Sequence, residues 1–168
     1  MEAERTLTLL TAGTGLRISE CLALQWQDVD FANQPIHVRR TWVHGRMGTP
    51  KTKRRTHPRR CILCWQSRCN AGSRSRPTLS PVNWVFPSMK LKGRKPRCAN
   101  TLVEDYLRPA AVKAGVLTKD DSRRFGYHNL RHSLASFLVR TKTDVKTVQN
   151  LLRHSNVKTT LQVRAQRD

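Results

Sequence analysis

Three short segments of this chain hold arginine and histidine at spacings suited to work on an anion. Thr14-Gly15-Leu16-Arg17-Ile18-Ser19-Glu20 puts an arginine three residues before a carboxylate. His128-Asn129-Leu130-Arg131-His132-Ser133 puts a histidine three residues before an arginine, and on a helix that spacing turns both to one side. Leu151-Leu152-Arg153-His154-Ser155-Asn156-Val157-Lys158-Thr159-Thr160 brings another histidine 23 residues beyond Arg131. Guanidinium groups grip carboxylate or phosphate oxygens through paired hydrogen bonds, and two of them can hold charge that builds on those oxygens. Taken singly, an arginine at a helix start or a His/Arg pair on a helix is an ordinary solvated feature. The three together, in this order, are not.

The charge balance points the same way. The chain has 168 residues, the length of one domain, with 32 Lys and Arg against 11 Asp and Glu, a formal charge of +21. So large an excess implies a polyanionic partner. It is concentrated: 17 of the basic residues, and no acidic one, lie between Phe31 and Val103. Hydrophobic residues make up 38%, a lean but sufficient supply for a core. No apolar run approaches the roughly 18 residues of a membrane span, and the start MEAERTLTLL lacks the form of a signal peptide. Five cysteines, an odd count without a secretion signal, fit a reduced cytoplasmic setting.

The elements that must position these residues are mostly helical. Leu7, Leu9 and Leu10 predict a short helix over residues 3–12, stopped by Ala12-Gly13-Thr14-Gly15. A second helix starts near Arg17, with Ile18, Cys21, Leu22 and Leu24 on its apolar side. Residues 36–43 alternate as a strand, Gly45 and Gly48 mark a turn, and residues 49–56 are placed as the returning strand. Order resumes at Asn83-Trp84-Val85-Phe86-Pro87, before a helix over 101–115 with Leu102, Tyr106, Leu107 and Ala110 on one face. Leu130, Leu134, Phe137 and Leu138 form the stripe of the next helix. Asp144 caps one carrying Val145, Val148, Leu151 and Leu152, and Ser155 is placed to cap the last.

The three segments, with Pro50-Lys51-Thr52-Lys53, resemble the catalytic domain of tyrosine recombinases, the phage integrase family. The resemblance covers nearly the whole chain outside residues 54–80. It implies an α+β, mainly α fold, the integrase catalytic-domain fold, with a small antiparallel β-sheet. It implies site-specific DNA breakage and rejoining on double-stranded DNA, with other recombinase subunits as partners. No cofactor, metal, membrane or small-molecule substrate is called for, because arginines neutralise the charge. By the same resemblance Arg17 and Arg131 clamp the scissile phosphate. His128 handles a proton at the nucleophile and His154 donates to a phosphate oxygen. Lys51, or Lys53 in a shortened hairpin, protonates the leaving oxygen, and Glu20 supports the site. Lys90, Lys92, Arg94 and Lys95 add contacts to the DNA backbone.

The chain departs from the family at three places. The nucleophilic tyrosine stands ten residues beyond the histidine in the family's Val-Lys-Thr-Thr-Leu-x-Val-Tyr pattern, and here that position is Arg164. An arginine stays protonated and cannot attack phosphorus. The remaining tyrosines are Tyr106 and Tyr127, and although Tyr127 adjoins His128, nothing in the sequence aims it at a phosphate. Residues 54–80 carry seven Arg, three Cys and four Ser where the family has a strand and an amphipathic helix. A locally shifted reading frame would produce such a stretch, and it is expected to lack order and a packed core. Its rival reading is a zinc site of His57, Cys61, Cys64 and Cys69. Lastly, residues 1–168 read as a single catalytic domain with the family's N-terminal DNA-binding domain absent. The expected present state is a DNA-binding member without strand cleavage, the alternative being a non-catalytic nucleic-acid-binding module.

Overall fold

The computed structural model describes residues 2–30, 35–49, 59–60 and 80–152. Helix α1, Glu2–Thr14, is rich in threonine, which is a middling helix former. Its hydroxyls turn back onto the helix: Thr6, Thr8, Thr11 and Thr14 donate to the carbonyls of Glu2, Glu4, Leu7 and Leu10. Buried hydroxyls are thereby satisfied and Leu7 and Leu10 reach the core. The helix runs two residues past the expected stop, because Gly13 stays helical and Gly15 ends it. Gly15 takes φ +64° and donates its N–H to the Thr11 carbonyl at 3.0 Å. Two residues later α2, Ile18–Leu22, begins with Arg17 at its N-cap, and the Glu20 carboxylate accepts the Arg17 backbone N–H at 3.0 Å.

The strand expected over 36–43 is divided into β1, Pro35–Ile36, and β2, Thr41–Val43. Buried Asp28 draws the intervening residues aside. Its carbonyl accepts the His37 N–H at 2.8 Å, and its carboxylate pairs with Arg40 and, at 3.6 Å, with Arg39. The returning strand also comes earlier than expected. β3, Arg46–Gly48, pairs antiparallel with β2, Thr41 opposite Gly48. His44 and Gly45, both at positive φ, form the two-residue turn that suits the twist of a hairpin. Gly48 is therefore strand, not turn. A second antiparallel pair joins β1 to β4, Arg59–Arg60, so two residues of the 54–80 segment are sheet-paired. Among the described residues the small sheet expected from the sequence is formed as two two-stranded antiparallel ladders.

After Phe86 a basic loop carries a 3-10 turn, Met89–Leu91, and leads to Cys98 at the start of α3, Ala99–Leu102. A π-helical turn, Val103–Leu107, connects α3 to α4, Arg108–Lys113. Pro109 accounts for its place. It has no N–H to offer and its ring crowds the carbonyl four residues back, so the preceding turn widens. The extra residue rotates the helix, so that Leu102, Leu107 and Ala111 are buried while Tyr106 and Ala110, expected on the same face, are exposed.

Helix α5, Tyr127–Arg140, and helix α6, Val145–Leu152, complete the described chain. Asp144 caps α6, accepting from the Thr147 N–H at 3.0 Å and the Thr147 hydroxyl at 3.3 Å. The main core gathers Leu7, Leu10, Leu16, Leu22, Ile36, Phe86, Leu102 and Tyr127 among others. A second, small cluster of Ala135, Val148 and Leu152, flanked by Leu134 and Leu138, joins α5 to α6. Leu130 packs on the main core, whereas Phe137 and Leu151, expected in the apolar stripes, face solvent. The expected cap at Ser155 lies outside the described residues.

Candidate functional site

A cavity of about 150 Å³ lies where the α1–α2 turn meets the first turns of α5, lined by Leu16, Arg17, Ile18, Ser19, Tyr127, His128 and Arg131. Three of the predicted residues converge here although they come from opposite ends of the chain. Arg17 arrives on the N-cap of α2, with its side chain 31% exposed and 3.5 Å from the Glu20 carboxylate. Glu20, 1% exposed, therefore holds both the backbone and the side chain of Arg17. His128 and Arg131, one helical turn apart on α5, face the same space.

The two arginines are differently placed. Arg131 is only 4% exposed, and its guanidinium donates from Nη1 to the Gly15 carbonyl and from Nη2 to the Leu152 carbonyl. Gly15 follows the C-terminal end of α1, where a cation is favoured by the helix dipole, and Leu152 is the last described residue of α6. Gly15 makes the approach possible. A Cβ there would lie 2.7 Å from Leu152 Cδ2 and 3.1 Å from Leu134 Cδ2.

His128 is held below its ordinary value by partial burial, and next by electrostatic repulsion from His132, Arg131 and Arg17. At neutral pH it is thus an uncharged imidazole that can take a proton. His132, one further turn along α5, stands edge-on to it with ring centroids 4.4 Å apart. His132 stands in the second motif without a role of its own, and its i, i+4 spacing from His128 is the signal that marks it. Gly15, expected only as part of the helix stop, and the Leu152 carbonyl, for which the sequence carries no signal, both accept hydrogen bonds from Arg131.

Two nucleophile types near the cavity are unsuited to attack. Tyr127 contributes a wall but is 3% exposed. Burial pushes its phenol above the ordinary value, opposed by a hydrogen bond to Thr8 of α1, and the charged groups that act on it next are Glu4 and Arg97 rather than the residues of the cavity. Cys21 is fully buried, which pushes its thiol up to about 12.

Lys90, Lys92, Arg94 and Lys95 are all exposed on the basic loop. Lys95 borders a groove of about 490 Å³ between α2, the β2–β3 hairpin and this loop, and the groove shares Ile18 and Ser19 with the arginine cavity. Lys51, Lys53, His154 and Arg164 lie outside the described residues, as do His57, Cys61, Cys64 and Cys69. Among the described residues no group of three or more His, Cys, Asp or Glu is placed to hold a metal ion, and no helix is long and apolar enough to cross a membrane.

Comparison with known proteins supplies the context. The chain is 31% identical over 157 residues to tyrosine recombinase XerC of Chromobacterium violaceum, covering 94% of this chain and 46% of that protein. It is 29% identical over 158 residues to tyrosine recombinase XerA of Pyrococcus furiosus, covering 94% and 48%. The chain thus spans about half the length of the relatives it matches. Among solved structures, the Tn1549 transposon integrase in complex with circular intermediate DNA superposes with a TM-score of 0.75 at 22% identity, over 94% of this chain and 54% of that one. XerH recombinase bound to its difH substrate gives 0.67 at 20% identity, over 97% and 42%. The fold is shared with these catalytic domains. Residues 2–167 match the sequence profile of the phage integrase family, a span that runs through the basic 54–80 segment, and the chain belongs to that family.

Proposed function

We propose that this chain binds duplex DNA and seats one backbone phosphate in the cavity shared by Arg17, His128 and Arg131, as a recombinase does when it breaks and rejoins strands. The observation that carries the reading is the convergence of those three side chains on one cavity, across more than a hundred residues of sequence. Arg17 and Arg131 take the non-bridging oxygens, Glu20 steadies Arg17, and neutral His128 accepts a proton. By family resemblance Lys51, with Lys53 as its alternate, supplies the general acid, and His154 adds a donor. Lys90, Lys92, Arg94 and Lys95 hold neighbouring phosphates, and further recombinase subunits share the DNA.

The family's tyrosine position is Arg164, so strand cleavage is lost and binding remains. The same substitution favours the second reading, a binding module with no chemistry, and one pair of experiments separates them. A suicide DNA substrate should trap no covalent adduct on the natural chain; an adduct overturns the proposed loss of cleavage. Arg164→Tyr should restore the adduct if the cavity is still a recombinase site, and no adduct places the chain in the binding class. In a salt titration, log K should fall linearly with log salt, and Arg17→Ala should lessen the slope by about one. Binding indifferent to salt contradicts the phosphate reading.

A further inference from the structure

Helix α6 packs on α5 away from the main core. Its Val148 and Leu152 meet Ala135, Leu134 and Leu138 in a cluster separate from the main core. Among the described residues α6 is also held by Arg131, whose Nη2 donates to the carbonyl of Leu152 while Nη1 donates to that of Gly15. The same guanidinium lines the arginine cavity. One side chain thus bonds to the backbone of α6 and forms a wall of the candidate site.

We propose that occupancy of the cavity by phosphate and the docking of α6 are coupled through Arg131, each strengthening the other. The physical cause is the ordering of a long side chain. Arg has several rotatable bonds, and holding it in one rotamer costs entropy. The rotamer that reaches the Gly15 and Leu152 carbonyls is the one that lines the cavity, so whichever partner binds first bears that cost for the other. The coupling is reciprocal: phosphate tightens α6, and a loosened α6 weakens the hold on phosphate. The inference rests on the phosphate reading of the cavity and adds regulation to it, because anything that grips or releases α6 then tunes the site.

Amide hydrogen exchange with inorganic phosphate, against chloride at equal ionic strength, reads the first arm. Amides of α6 should exchange about fivefold more slowly or better with phosphate, the low end of usual coupling, while those of α1 change little. The second arm is affinity. Leu138→Ala, at the edge of the small cluster and away from the cavity, should weaken phosphate binding about fivefold, whereas Val85→Ala in the main core should not. Exchange of α6 that is unchanged or faster with phosphate overturns the coupling, the faster case meaning that phosphate pulls Arg131 off Leu152. If Leu138→Ala does not fold, the exchange of the natural chain still decides. Arg17→Ala separates the two readings. Phosphate bound equally well by Arg17→Ala sinks the cavity reading itself, and phosphate bound through Arg17 with α6 unaffected sinks only the coupling.

Discussion

Alanine at position 15 adds one methyl group at the joint on which the candidate site turns. Gly15 holds φ +64°, a region in which a side chain costs about 1–2 kcal/mol. The added Cβ would stand 2.7 Å from Leu152 Cδ2 and 3.1 Å from Leu134 Cδ2. Both atoms are terminal methyls of leucines packed between α5 and α6, so relief requires those side chains to give way within a packed cluster, at about 1–3 kcal/mol for overpacking. Alanine also restricts the unfolded chain, which returns about 0.4–1 kcal/mol. The net destabilisation is about 1–4 kcal/mol, equivalent to roughly 2–16 °C in Tm for a chain of this size. Urea unfolding followed by circular dichroism measures it, and the midpoint should fall with the slope unchanged. A double-mutant cycle isolates the clash. Leu152→Ala removes the atom that Cβ strikes, so it should cost about 1–3 kcal/mol less in the Gly15→Ala background than in the natural chain. A loss below about 1 kcal/mol, or strictly additive effects, would refute the reasoning that Gly15 is required for close approach.

Two further perturbations follow from the same geometry. Asp144→Ala removes the acceptor for the Thr147 N–H and hydroxyl, should cost about 1 kcal/mol, and should show first as faster amide exchange in α6 rather than across the main core. His128 is depressed in the folded chain by burial and by His132, Arg131 and Arg17. The unfolded chain therefore binds more protons as pH falls through the ordinary value of 6.5 toward the lower folded value, and stability is lost across that window. His128→Gln should flatten the stability profile there while leaving stability above pH 7 nearly unchanged, as read by thermal melts at stepped pH; an identical slope in both chains would show that His128 does not carry the effect.

The helices were legible because their signals are local. The apolar spacing of α1 and α5, the Asp144 cap and the glycine stop after Thr14 each work within a few residues, and errors there were of one or two positions. What was not legible was set at a distance. Asp28 divides the first strand by drawing Arg39 and Arg40 from further along the chain. The π-helical turn over Val103–Leu107 shifts the buried face from Tyr106 and Ala110 to Leu107 and Ala111, and regular 3.6-residue counting has no place for the extra residue. Phe137 fits the apolar period of α5 yet faces solvent, since periodicity reports which side a residue occupies and not whether a partner covers it.

Arg131 sharpens the same point for the candidate site. Residue type and spacing mark it as a clamp, and the structure does place it beside Arg17 and His128. Its two backbone acceptors, however, lie 116 and 21 positions away, so no local pattern announces them. Removing this side chain leaves two backbone carbonyls without their donor, a loss of about 1–3 kcal/mol for each buried group. Lysine, with one compact ammonium, does not reproduce a fork that spans both. A failure of DNA binding in an Arg131 variant would therefore mix lost phosphate contact with a loosened α6. Arg17 is the cleaner probe of the phosphate, because its side chain is partly exposed and its partner, Glu20, sits three residues away on the same short helix. A loss on Arg17→Ala that Arg17→Lys partly restores speaks for charge at the phosphate, whereas the cost of losing Arg131 has to be divided between the site and the fold before it says anything about function.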